Sequence, residues 1–206
     1  KSVNAAFIHG KKITCHDPYG FICNKIPEHF LLKLKTAETF DSRAENIQGD
    51  VPGVFVDDRV VELPPDILIL RPQSLAVGIG CNRNTSMEEL QSSVYEVLDS
   101  YQLSADSVIC LATIDIKNDE SGLLAFSKDF EIPLRFFDKE ELKQVKRIKT
   151  PSFVVEKHVG VKSVCEAAAI LATEQGELIV PKQSTPNVTV AIARKSFILS
   201  VLALEV

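Results

Sequence analysis

The run from Ser107 to Ile116, "SVICLATIDI", constrains the fold more than any other stretch of this chain. It is apolar from Val108 to Ala112 and again at Ile114 and Ile116, without the polar alternation of a half-exposed strand. Such a run fits a strand covered on both faces, the usual state in a parallel sheet with helices on either side. A central place in the sheet is expected for it. The surroundings agree, because from Gln73 onward strand-like and helix-like stretches alternate.

"LAVGIG" (75–80) reads as a strand, and "SMEELQSSVYEVLDSY" (86–101) as a helix with Met87, Leu90, Val94, Val97 and Leu98 on one face. A short helix through "SGLLAFSKDF", a strand at "IPLRFF" and a helix start at "DKEEL" follow, the last with Asp138 as N-cap and Glu141 three residues on. "SVCEAAAILATEQG" reads as an Ala-rich helix closed by Gly176. After it come strands at "ELIVPK" and "VTVAIAR" and a last strand in "SFILSVLALEV". The expected class is α/β, a mainly parallel sheet flanked by helices and preceded by a smaller turn-rich segment.

That leading segment is punctuated by "HDPYG", "DVPG" and "LPPD" and shows no repeat and no evident chemistry. Pro64-Pro65 and Pro72 bracket a strand-like Ile67 to Leu70, which places the boundary near Pro72, with a leading region 1–72 and an α/β domain 73–206. "KSVNAAFIHGKKI" starts with Lys and reads as the tail of an amphipathic helix stopped by Gly10, as expected of a piece of a longer polypeptide.

Lys and Arg total 23 against 28 for Asp and Glu, and the net charge of −5 argues against a general nucleic-acid binder. An anionic ligand would need a local cluster of positive charge. The five cysteines, Cys15, Cys23, Cys81, Cys110 and Cys165, are odd in number, and their spacing matches neither a disulfide framework nor a zinc site. No metal site and a reducing cytoplasm are expected. No run approaches a membrane span of about 18 apolar residues, and the first residues do not show a charged stretch followed by an apolar one.

In open α/β sheets, ligands bind beyond the carboxyl ends of the strands, where loops lead into helices. This geometry selects "GIGCNRNTS", "TIDIKNDESG" and "VGVKSVCEAA". In the first, Gly78 and Gly80 permit close backbone approach, and Thr85 with Glu88 and Ser86 with Glu89 form two overlapping capping boxes. A tight strand-to-helix turn explains these residues; so does an anion site in which helix-start N–H groups and the Arg83 fork hold a carboxylate or phosphate. Cys81 precedes a helix start, where a thiol can become a nucleophile, but packing as a small, half-buried hydrophobe is the favoured reading. Cys110 and Cys165 read as packing residues.

The second segment carries Thr113, Asp115 and Lys117 at alternate positions, so period-two spacing puts an acid and a base on one side of the strand end. A solvated ion pair capping a strand is the alternative. In the third, Glu166 stands three residues after Ser163, which spells another capping box.

Taken together, "GIGCNRNTS", "LATIDIKNDESGLLAF", "PLRFF" and "VGVKSVCEAAAILA" resemble, in order and near spacing, the C-terminal part of the cobalt-precorrin-5A hydrolase family, the cobalamin biosynthesis protein G proteins. The resemblance covers about Gln73 to Arg194, and "VNAAFIHGKKI" and "DILILRP" are similar to the family's middle region. Where the family has Arg-Gly-Thr-Ser, this chain has Arg83-Asn84-Thr85-Ser86, and Asn tolerates the left-handed backbone that such a turn needs.

The resemblance implies that a lactone on a cobalt tetrapyrrole is opened and acetaldehyde released, with cobalt carried by the substrate and no further cofactor. On that reading Asp115 or Glu166 activates water. Lys117 and backbone N–H groups near Cys81 stabilise negative charge, and Arg83 holds a propionate or acetate arm. Gly78, Gly80, Cys81, Thr85, Ser86, Thr113 and Ser163 complete the substrate site. The partner is a cobalt-corrinoid, with other corrin-pathway enzymes beside it and neither nucleic acid nor membrane. A non-catalytic corrinoid-binding module is the alternative function.

Overall fold

The computed structural model describes residues 2–22, 25–31, 52–152 and 160–196. They form two compact units, one ending at Pro72 and the other spanning Gln73–Ser196. The first holds helix α1 (Ser2–Ile8), after which Gly10 takes φ +64°, and a three-stranded parallel sheet of β1 (Thr14–His16), β2 (Gly53–Val56) and β3 (Ile67–Leu70). At the strand ends, His16 Nε2 lies 2.9 Å from the fully buried Asp57 carboxylate, which also receives the Arg59 guanidinium at 2.7 Å. Burial alone would push the Asp57 carboxyl up, but its hydrogen bonds with His16 and Arg59 outweigh that and hold it well below the usual carboxylate range. This cluster, with His16 and Asp57 buried and Arg59 exposed, falls in the segment whose sequence shows no chemistry. Cys15 in β1 is disulfide-bonded, which no spacing in the sequence marks.

The second unit runs β4 (Leu75–Cys81), α2 (Met87–Ser100), β5 (Val108–Ile114), α3 (Ser121–Asp129), β6 (Leu134–Phe137), α4 (Lys139–Lys143), α5 (Val164–Ala172), β7 (Glu177–Ser184) and β8 (Val188–Arg194). The sheet order is β6-β5-β4-β8-β7. β4, β5 and β6 are parallel, whereas β8 lies antiparallel to β4 and pairs with β7 as a hairpin. The long apolar strand β5 is therefore interior, but the hairpin docks on the other side of β4 and makes β4 the centre.

Alternation along β4 decides which helices cover which face. Leu75, Val77 and Ile79 point into a core with Leu90, Val94 and Leu98 of α2 and Leu123 and Phe126 of α3. Ala76 points the other way, with Ala112, Ala191 and Ala193 of neighbouring strands, against Ala167, Ala168 and Ala169 of α5. Small residues on both sides let this helix sit close to the sheet. Gly78 marks the tightest point, because a Cβ there would lie 1.9 Å from the Cys165 carbonyl oxygen. That glycine serves helix packing.

The helix ends follow the capping signals in part. Asp138 and Glu141 form the expected reciprocal box on α4, each bond 2.8 Å long. On α2 the cap is Ser86, whose Oγ accepts the Glu89 N–H at 3.2 Å, while Thr85 is buried and donates to the Asn82 carbonyl. α5 ends at Ala172 rather than at Gly176: Thr173 Oγ1 donates to the Ala169 and Ile170 carbonyls, and Glu174 and Gln175 take φ +56° and +68°. Gly176 instead gives room, since a Cβ there would meet the Arg194 carbonyl oxygen at 2.2 Å. The strand expected after Ser196 lies outside the described residues. No described helix is long and apolar enough to cross a membrane.

Candidate functional site

A cleft of about 370 Å³ opens beyond the carboxyl ends of β4 and β5, within the range of small-molecule sites. Gly80, Cys81 and Asn82 line it from the end of β4, and Thr113, Ile114, Ile116 and Lys117 from the end of β5. Ser163, Val164 and Cys165 contribute the start of α5, and Lys182 with the turn around Thr185 to Thr189 contributes the β7–β8 hairpin. All three segments singled out in the sequence reach it; Val159, which opens the third, lies outside the described residues. The hairpin wall is the part that sequence reasoning missed.

The lining has a definite chemistry. It combines an apolar floor with hydroxyls, two side-chain amides and two amines, Lys117 and Lys182, and no carboxylate among the described residues. Thr113 is fully buried, and its Oγ1 has no hydrogen-bond partner among the described residues. An orphaned hydroxyl in a cleft wall is costly unless a ligand or water satisfies it.

Beside the cleft, four charges tie the first two loops together. Arg83 pairs with Asp119 and with Glu120 at 2.9 Å and donates to the Ile116 carbonyl. Lys117 reaches the same Glu120 oxygen at 3.3 Å, and the Asn84 N–H donates to the other at 3.0 Å. Asn84 takes φ +60°, the left-handed conformation for which Asn is suited. Burial alone would push the Glu120 carboxyl up; the Asn84 N–H, Lys117 and Arg83 outweigh it and hold it below the ordinary range. Glu120 is thus the hub of the loop, a role that a turn residue in "KNDESG" does not advertise.

Glu166 occupies a different place from the one expected. Its carboxylate is fully buried, and instead of closing a box with Ser163 it accepts the backbone N–H of Lys149 at 2.8 Å, of Thr150 at 3.1 Å and of Lys182 at 2.9 Å. Three donors engage both oxygens, and Glu166 is not among the residues that line the cleft. Asp115 is not in the cleft wall either. The chain leaves β5 at Ile114 and enters a 3-10 turn, Asp115–Lys117, so strand alternation stops before Asp115, and of Thr113, Asp115 and Lys117 only the first and last line the cleft.

The other expected residues divide similarly. Gly80, Cys81, Thr113, Lys117 and Ser163 line the cleft; Gly78, Arg83, Thr85 and Ser86 do not, being engaged in packing, ion pairing and capping. Backbone N–H groups near Cys81 are also taken, Asn82 by the Asn187 carbonyl at 2.9 Å and Asn84 by Glu120. Burial pushes the Cys81 thiol up, with Lys117 and Arg83 opposing only in part, so the thiol stays protonated. Cys165 is buried, 3.6 Å from Ser163 Oγ, and Cys110 lies in the core. Among the described residues no group of three or more His, Cys, Asp or Glu side chains is placed to hold a metal ion.

Residues 75–193 match the family model described as cobalamin synthesis G C-terminus. Over 126 residues the chain is 36% identical to a cobalt-precorrin-5A hydrolase of Priestia megaterium, covering 61% of this chain and 33% of that protein. It is 30% identical over 121 residues to protein CobE of a Sinorhizobium species, covering 58% of this chain and 79% of that one. The crystal structure of CobE, a protein from the cobalamin biosynthetic pathway, superimposes with a TM-score of 0.57 at 34% identity, over 61% of this chain and 93% of that chain. The chain thus spans about a third of the length of the hydrolase and most of the length of CobE. With the family's matched region coinciding with the sheet and the cleft at its strand ends, the chain belongs to the cobalamin synthesis G C-terminus family.

Proposed function

We propose that this chain acts in cobalamin biosynthesis as part of a cobalt-precorrin-5A hydrolase, opening the lactone of a cobalt tetrapyrrole with release of acetaldehyde. The observation that carries this reading is the cleft: two amines and several hydroxyls around an apolar floor, with no described carboxylate, suit an apolar ring edge bearing carboxylate arms. A volume of about 370 Å³ takes an edge of the macrocycle and its arms rather than the whole ring. The similarity to the Priestia megaterium hydrolase supports the same assignment.

Lactone opening needs water at the carbonyl carbon and donors for the tetrahedral oxyanion. Lys117 and the Thr113 hydroxyl flank the end of β5 and supply positive charge and a donor there. Asp115 and Glu166 both stand outside the cleft lining, and we assign neither of them as the base. The cobalt arrives with the substrate, and we assign the protein no cofactor of its own. We place the activity in the cytoplasm: the free thiols Cys81, Cys110 and Cys165 favour a reducing compartment, and the disulfide at Cys15 weighs the other way.

The lack of a described carboxylate or imidazole in the lining favours one second reading, a module that binds a corrinoid without turning it over. Incubation with cobalt-precorrin-5A, using this chain and a form extended at its N-terminus, separates the two. Acetaldehyde release by either form supports the hydrolase; tight binding with no acetaldehyde from the extended form supports the module.

A further inference from the structure

The β7–β8 ladder slips register between Val180 and Gln183, and Lys182 sits within the slip. A bulge of this kind frees a backbone N–H from the ladder and re-aims a side chain. Both consequences are present. The Lys182 N–H donates to the buried Glu166 carboxylate at 2.9 Å, while Lys182 lines the cleft and its Nζ donates to the Thr150 carbonyl at 3.2 Å. Glu166 also binds the N–H of Thr150, so one carboxylate fixes both the lysine and the carbonyl that steadies its tip.

The two amines of the cleft are not equivalent. Lys117 is ion-paired with Glu120, whereas Lys182 has no carboxylate partner among the described residues. An ammonium carries three donors, so Lys182 keeps donors for an anion after serving Thr150. The buried Thr113 hydroxyl in the same cleft, without a hydrogen-bond partner among the described residues, independently points to a polar ligand group.

We propose that Lys182 is the specificity residue of the cleft, taking a carboxylate arm of the bound substrate, with the bulge and Glu166 as the devices that aim it. This rests on the reading of the cleft as the substrate site. The test is equilibrium titration of the whole chain with cobalt-precorrin-5A and with its methyl-esterified form, followed by corrinoid absorbance. K182Q should weaken binding of the free acid by about tenfold to a hundredfold, the range for losing a hydrogen bond to a charged group. K182R should restore most of it, and the ester should bind wild type and K182Q alike. K182M, which keeps the aliphatic stem, replaces K182Q if that variant fails to fold. If wild type binds the acid and the neutral variant binds it within about twofold, the assignment of Lys182 is overturned while the cleft reading stands. If wild type binds neither form, both are overturned.

Discussion

The carboxylate of Glu166 on α5 accepts the backbone N–H of Lys182 on β7 at 2.9 Å. With the N–H groups of Lys149 and Thr150 on its other oxygen, it ties a helix start, a loop and a bulged strand into one wall of the cleft. A glutamine would complete a capping box but cannot accept three N–H donors here, because its amide NH₂ would face at least one of them. Glu166→Gln should therefore cost at least about 2 kcal/mol, from buried donors left unsatisfied. Denaturant unfolding checks this; a variant as stable as wild type would mean that the latch contributes little.

Gly78→Ala should destabilise more severely. The added Cβ would fall 1.9 Å from the Cys165 carbonyl oxygen and 2.9 Å from the Ala169 nitrogen, both backbone atoms of a buried helix. Overpacking of this kind costs about 1–3 kcal/mol where neighbours can shift, and more where they are backbone. Thermal unfolding should show a fall in Tm of several degrees or failure to fold.

Much of this architecture was legible because its signals are local. The apolar run of β5, the face of α2 and the Asp138–Glu141 box each lie within one element and obey one periodicity. The cleft's position followed from strand ends leading into helices. What escaped depends on residues distant in sequence: Glu166 fits the S-x-x-E pattern, yet its partners at 149, 150 and 182 outcompete the cap. The period-two rule that sets Asp115 beside Thr113 fails where the strand gives way to a 3-10 turn. Lys182 closes the strand candidate "ELIVPK", and the clue there is Pro181 beside it, since proline within a strand marks an edge or a bulge.

Glu120 gives the second unit an acid-sensitive loop. Its carboxyl is held below the ordinary value of 4.5, so its stabilising contribution is complete above that value and is lost as pH falls through the lower, folded-state value. Unfolding free energy should drop in wild type as pH falls below 4.5. Glu120→Gln should remove part of that drop and cost about 1–3 kcal/mol at neutral pH, since Lys117, Arg83 and the Asn84 N–H lose a charged acceptor. Unfolding curves at several pH values decide; an unchanged slope in the variant would deny Glu120 this role.

The last prediction separates the cleft from the carboxylate and thiol chemistry that the sequence suggested. Cys81 lines the cleft with a thiol that burial keeps protonated, and Asp115 lies outside the lining. Cys81→Ser should keep acetaldehyde release from cobalt-precorrin-5A within about tenfold of wild type, far from the loss of about 10⁴ or more expected on removing a nucleophile. Asp115→Asn should keep kcat within a few-fold, whereas removal of a general base costs about 10²–10⁴. Steady-state kinetics on the most extended form of the protein, with folding checked by circular dichroism, make the comparison. Loss of turnover in Cys81→Ser with binding intact would restore the thiol as nucleophile, and the same result in Asp115→Asn would mean that the loop closes to bring that carboxylate over the substrate.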